Sequence, residues 1–330
     1  NSIKRCTALT TGQSFLALSG EFKTCMVQYV ELLRRRLPAA GARLGTSVGE
    51  VTMCYLINTG EYCAEVVPQL ELMVRQKMVP HLSERVVFDA QVDAFMDFVA
   101  HCIKVLVSGV MDRLEPSFRT MGGLNWGSSA QVGDESPYLH TFNAVLLDCM
   151  PKIRDALSST YFNNVCTKIA SEATQRYLAV ITKQKHISDV ATQQLLLDTY
   201  NMKAVLLQMP HLAAPSSAPI TTPKPAMYIK LVTNKIAHIE MVLKLVGTPE
   251  EMLLERFKIM WPDGKPADLQ MLMGLKGTKR SDQQVLLEML GIKTPDYIKD
   301  SGGGGEEGGN WDAANSYSAA SAAASSAAGV

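Results

Sequence analysis

The chain has 330 residues, with 32 Lys and Arg against 32 Asp and Glu, so its formal net charge is zero. That balance lacks the basic excess expected of a dedicated nucleic-acid binder. Apolar residues make up 47% and charged residues 19%, enough for one large or two smaller domains and suited to a protein that hides surface against partners.

From Ser14 to Leu37, apolar residues recur at Phe15, Leu18, Phe22, Met26, Val30, Leu33 and Leu37. Steps of three and four mark one face of an amphipathic helix, ended by Pro38 and Gly41. A second helix is expected from Thr46 or Ser47, with Val51, Tyr55, Tyr62, Val66 and Leu70 as its face and Pro68 as a kink or break. A third is expected from a cap at Ser83, burying Val87, Val92, Phe95, Val99, Cys102, Ile103, Leu106, Val110 and Leu114.

Glycines at 122, 123, 127 and 133 interrupt the pattern before Ser136-Pro137, a favourable helix opening. Helices are predicted over about 138–157 and 159–184 and from the cap Ser188 to Met209, followed by a proline-rich loop at 211–225. Spacing resumes from Met227 to Val246, and Thr248-Pro249-Glu250-Glu251 reads as a helix start with acids at the positive dipole end. Short helices near 266–273 and 281–290 close the pattern, while the Gly/Ala/Ser tail 293–330 is expected to be disordered.

No alternating β-branched run reads as a strand. The expected fold is all-α, with stacked helical bundles forming a rod. Its parts are a first bundle at 1–121, a glycine-rich connection at 122–137 and a second bundle at 138–292. The seven cysteines contain no Cys-x-x-Cys and lie mostly within apolar helical patterns, which reads as reduced, buried thiols of a cytosolic protein. The apolar run Phe98 to Met111 includes His101 and Lys104 and is too short to span a bilayer, so membrane association is expected to be peripheral. The start at Asn1 rather than Met is what a piece of a longer protein would show.

Catalytic chemistry finds no footing. The six histidines are scattered without His-Glu-x-x-His, and no Gly-x-Ser-x-Gly elbow is present. Gly274-Leu275-Lys276-Gly277 lacks the spacing of a phosphate-cradling loop; it matches the bare Gly-x-x-Gly of a KH domain, but no strands accompany it. The expectation is a protein that is not an enzyme, with no cofactor, metal, nucleic acid or small-molecule substrate. Arg34-Arg35-Arg36 reads as a solvated helix end. Lys276, Lys279 and Arg280 lie at a loop and helix start, where cations are disfavoured, so this cluster is the better candidate for an acidic partner. With Asp282 and Gln283 it forms the first candidate patch; Trp126 and Asp134 are the second choice. A Trp in a glycine-rich loop also serves to pin that loop to its own helices, and Gln194 and Asp198, one turn apart, are placed to hold a neighbouring backbone.

In order, Cys54–Cys63, Trp126-Gly127, Val132–Tyr138, Lys185–Ser188, Gln193–Thr199 and Leu275–Gln284 resemble the C-terminal region of the vacuolar protein sorting-associated protein 53 family, over residues 46–291. Residues 211–225 and the tail have no counterpart. The resemblance implies a rod of helical bundles in a subunit shared by two vesicle tethers, the Golgi-associated retrograde protein complex and its endosome-associated relative. It implies retrograde transport from endosomes to the trans-Golgi network, the other tether subunits as partners, and a surface for vesicle or SNARE-type proteins. A cytosolic protein, peripheral on trans-Golgi network and endosome membranes, is the implied location. The alternative is a helical adaptor binding anionic lipid or RNA directly through residues 274–284.

Overall fold

The computed structural model describes residues 2–38, 44, 47–128, 131–212 and 226–288. Among them the chain is all-α, with twelve α-helices and no strand. In order they are α1 (Ser2–Thr7), α2 (Gln13–Arg34), α3 (Ser47–Lys77), α4 (Pro80–Ser83), α5 (Asp89–Gly123), α6 (Pro137–Ala156), α7 (Ser159–Thr182), α8 (Asp189–Gln208), α9 (Ala226–Val246), α10 (Glu250–Met260), α11 (Pro266–Lys276) and α12 (Arg280–Glu288). A short 3-10 turn, Met209–His211, follows α8. The tail expected at 293–330 lies outside the described residues, as does most of the expected loop at 211–225.

Helix α5 is the axis of the core. It packs against α2, α3, α6 and α7, on both sides of residues 122–137 in the sequence, and its contact with α3 is the most extensive helix pair described. By length and composition α5 could cross a membrane, yet half of its most apolar window is buried against other helices. Neighbours on several sides explain why Phe98 and Val107, off the predicted stripe, are also buried.

The face of α3 differs from the expected one. Tyr55 and Tyr62 are 62% and 66% exposed, and the inward residues are Met53, Ile57, Gly60, Ala64, Val67 and Val74. Steps of three and four from Met53 to Val67, then of seven to Val74, make a coiled-coil-like seam. Counting tyrosines as apolar shifted the expected stripe, although their hydroxyls are better left in water. Small residues on the true seam let the helices approach: a Cβ at Gly60 would lie 2.6 Å from Val99 Cγ2. Pro68 does not split α3, which continues to Lys77. Burial of Ala64, Val67 and Val74 around it outweighs the roughly 3 kcal/mol that an internal proline costs.

Ser83 is not the cap of α5. It closes the single turn α4, its Oγ donating to Pro80 O at 2.8 Å, and α5 begins at Asp89. Side chains of α3 hold the intervening backbone: Arg75 Nε donates to Val86 O at 2.7 Å, and Phe88 N–H donates to Glu71 Oε2 at 2.6 Å. Glu71 therefore satisfies an otherwise orphaned amide at the helix start.

One charge cluster crosses the core. Glu50 of α3, 1% exposed, receives both 2.9 Å hydrogen bonds from Arg113 Nη1 of α5. Arg113 Nη2 reaches Asp148 of α6 at 2.6 Å, and Lys152 holds the other Asp148 oxygen. These two partners, Lys152 and then Arg113, keep the Asp148 carboxyl below its ordinary value.

Burial pushes the thiols of Cys54, Cys102 and Cys149 up to about 12. At about pH 8 a thiol reagent should therefore modify exposed Cys25 first, leaving these three until the chain unfolds. Mass-spectrometric mapping that found Cys54 or Cys102 labelled as fast as Cys25 in folded protein would refute this packing.

Candidate interaction surface

The glycine-rich connection is held by α8 through side chains that a helix interior seldom buries. Gln194 accepts from Gly133 N–H at 2.8 Å and donates to Asp134 O at 2.8 Å. Asp198, fully buried, accepts from Ser136 N–H at 3.1 Å, Gln194 Nε2 at 3.1 Å and Tyr138 OH at 2.8 Å. Tyr138 OH also lies 3.2 Å from Tyr177 OH, which lies 3.3 Å from Thr199 Oγ1. Burial, with the Asp198 charge beside it, pushes the Tyr138 hydroxyl well above its ordinary value, so it stays a donor. The expected backbone-holding role of Gln194 and Asp198 is what these bonds describe.

Trp126 is 5% exposed, its Nε1–H donating to Met121 O at 3.0 Å. The indole thus pins its loop to the end of α5. Backbone hydrogen bonds join the loop to the segment before α8 and that segment to the last turn of α11: Ser188 N–H donates to Trp126 O at 3.0 Å, and Ile187 N–H to Leu275 O at 2.8 Å. Three segments far apart in sequence form one surface here. Ser188 Oγ then accepts from Ala191 N–H at 3.2 Å, capping α8 as the sequence predicts.

The third segment turns at Gly277, whose φ of +75° places it in the left-handed region. Thr278 N–H bonds Met273 O and Gly277 N–H bonds Gly274 O, both at 3.0 Å, the Schellman arrangement that ends a helix. A Cβ on Gly277 would lie 2.9 Å from His186 Nδ1. Glycine answers both needs, backbone conformation and close approach.

The predicted cationic cluster divides. Lys276 is half-buried and its Nζ donates to Val246 O at 2.8 Å, covering the negative end of α9. Thr278 Oγ1 donates to Glu250 Oε1 at 2.6 Å, tying the loop to α10. Lys279 and Arg280 are exposed at the start of α12 and form no ion pair with another described residue. Asp282 is exposed beside them, its Oδ1 accepting from Ser281 Oγ at 3.1 Å. Gln283 Nε2 turns back to Thr278 O at 2.7 Å. Asp134 has an exposed side chain, and its carbonyl is the one held by Gln194.

A cleft of about 540 Å3 beside Trp126 was not anticipated. Arg119, Arg176, Lys183 and Lys185 line it, and Arg176 Nε and Nη2 also form a fork to Glu115 at 3.0 and 2.6 Å. The Arg176 fork keeps the Glu115 carboxyl below its ordinary value. Lys183, Lys185 and His186 lie close together in sequence, and Arg119 and Arg176 join them through the fold. Among the described residues no group of three His, Cys, Asp or Glu could hold a metal ion.

A family model described as vacuolar protein sorting-associated protein 53 C-terminus matches residues 193–278, from α8 through the Gly277 turn. Vacuolar protein sorting-associated protein 53 A of Arabidopsis thaliana is 28% identical over 312 residues, covering 91% of this chain and 37% of that protein. The vacuolar protein sorting-associated protein 53 homolog of Caenorhabditis elegans is 27% identical over 286 residues, covering 85% of this chain and 34% of its own length. The chain is thus similar to the C-terminal part of vacuolar protein sorting-associated protein 53 proteins. It spans about a third of the length of these two family members. Most of the family-like motifs, at 126–127, 132–138, 185–188, 193–199 and 275–284, are the segments that pin or form this surface.

Two substitutions test the framework. Gly277→Ala should cost about 1–2 kcal/mol and lower the thermal midpoint by several degrees, since it forces a Cβ into the left-handed region against His186. An unchanged midpoint would mean that the turn is not built this way. Asp198→Ala should cost about 3 kcal/mol or more in denaturant unfolding, because Ser136, Gln194 and Tyr138 each lose an acceptor in the interior. A loss below about 1 kcal/mol would exclude the buried network.

Proposed function

We propose that this chain is the C-terminal helical arm of a vesicle-tethering subunit, acting in retrograde transport from endosomes to the trans-Golgi network. In this reading it works within the Golgi-associated retrograde protein complex or its endosome-associated relative, in the cytosol and peripherally on those membranes. Its partners are the other tether subunits and a protein carried by the vesicle, for which a SNARE-type helix is a suitable class. The reading rests on one observation above the rest: two loops and the end of α11, remote in sequence, are locked into one surface by the Ser188–Trp126 and Ile187–Leu275 backbone bonds. The exposed charges of Lys279, Arg280, Asp282 and Asp134 offer contacts to such a partner, with Gln283 and Lys276 holding the loop that presents them. Trp126 contributes by fixing the loop rather than by offering an open ring.

Weak contacts of this kind become useful when a complex makes several together, since linked sites add avidity without new chemistry. Direct binding of anionic lipid or RNA by residues 274–284 has less support. Only Lys279 and Arg280 remain outward there, and Asp282 partly offsets them.

Affinity capture of the tagged full-length protein from cytosol should recover the other helical tether subunits. Lys279→Glu with Arg280→Glu should keep those subunits but reduce capture of endosome-derived vesicles by roughly fivefold, the product of two exposed charge contacts. Recovery of a partner-free monomer would remove the tether reading. Unaltered vesicle capture by the folded variant would remove the assignment of Lys279 and Arg280 alone.

A further inference from the structure

The cleft beside Trp126 has a composition that partner-helix docking does not explain. Its volume of about 540 Å3 lies in the range of small-molecule sites. Its cations come from different elements: Arg119 from α5, Arg176 from α7, and Lys183 and Lys185 from the turn after α7. No carboxylate lines it. Glu115 neutralises one charge from behind Arg176, and the ends of α5 and α7 contribute about half a negative charge each. An excess of about two positive charges remains around a compact space. The floor is apolar, formed by Phe118, Trp126 and Val180, each nearly buried.

We propose that this cleft binds a compact, multiply phosphorylated anion of the inositol-phosphate class. Guanidinium groups fit phosphate oxygens in pairs, lysines supply point charges, and an apolar floor accepts the C–H face of a cyclitol ring. A carboxylate ligand would leave most of the four cations unmatched. An extended acidic peptide would need a longer groove than one cleft offers. The same headgroup chemistry is found on a phosphoinositide lipid and on a soluble inositol phosphate. The site is separate from Lys279 and Arg280, and it does not depend on vesicle capture through that patch.

The test is isothermal titration calorimetry of the 330-residue chain with inositol hexakisphosphate at about 0.15 M salt, where non-specific attraction is screened. Lys183→Glu with Lys185→Glu alters two exposed side chains and should weaken binding at least about tenfold. The control is Lys77→Glu with Arg85→Glu, an equal change of charge on exposed residues near the opposite end of α5, which should change affinity by less than about twofold. Thermal melts of both variants confirm that each is folded. No binding by the parent chain, or equal weakening by the two variants, would overturn the proposal. Flotation with phosphatidylcholine vesicles carrying a few per cent of a phosphatidylinositol bisphosphate separates the sources. Binding that the cleft variant loses identifies the lipid headgroup, and soluble binding without flotation identifies the free inositol phosphate.

Discussion

A single buried carboxylate organises the surface on which the functional reading rests. Asp198 sits in the middle of α8 with no cation facing it among the described contacts, and three donors converge on it. An isolated charge in the interior would be very costly, and donors arranged around it are what make its burial tolerable. Those donors come from the start of α6, from the loop before it and from α8 itself. Asp198 thereby fixes where the glycine-rich connection crosses the helices. Residues 131–134 would otherwise have little to order them, since all four are exposed and bury almost nothing.

From that point the order passes along the chain ends. With α6 and α8 fixed, the Trp126 loop leaves α5 over the cap of α8, and its carbonyl meets Ser188 N–H. Ile187 then receives the Gly277 turn, which Lys276 and Thr278 tie to α9 and α10. The backbone links and the Lys276 bond satisfy backbone groups at helix ends, while Thr278 adds a bond between side chains. The surface is therefore a by-product of satisfying helix termini, and its outward charges are displayed on a backbone that is already ordered.

Much of this was legible in the sequence, but unevenly. Helix existence followed from three-and-four spacing, and Ser188 and Pro137 marked helix starts through their own backbone chemistry, whereas the end of α11 at Lys276 and Gly277, past the expected 273, was not marked. The phase of α3 was not legible, because Tyr55 and Tyr62 count as apolar in a pattern while Gly60 and Ala64 carry almost no signal. The late start of α5 was hidden because Glu71 and Arg75, a full helix away, supply the bonds that a local cap would have supplied. Gln194 and Asp198 were readable as a pair at helical spacing, although their targets were not. The basic cleft was not legible. Lys183 and Lys185 stand together in sequence, but Arg119 and Arg176 meet them only once α5 and α7 lie side by side.

Placement decides what each cation can do, more than its identity does. Lys276 ends α11 and reaches the carbonyl end of α9, so its charge is absorbed by the fold. Lys279 and Arg280 begin α12, where the helix dipole opposes them and no ion pair forms with another described residue. Arg176 lies between these cases, held by Glu115 yet facing the cleft. A guanidinium fixed by a carboxylate behind it loses little further freedom when an anion arrives in front. Preorganised charges of that kind convert more of their attraction into affinity than free surface lysines can. The rigidity that holds the motif loops together thus also makes the neighbouring basic cleft a binding site with a defined shape.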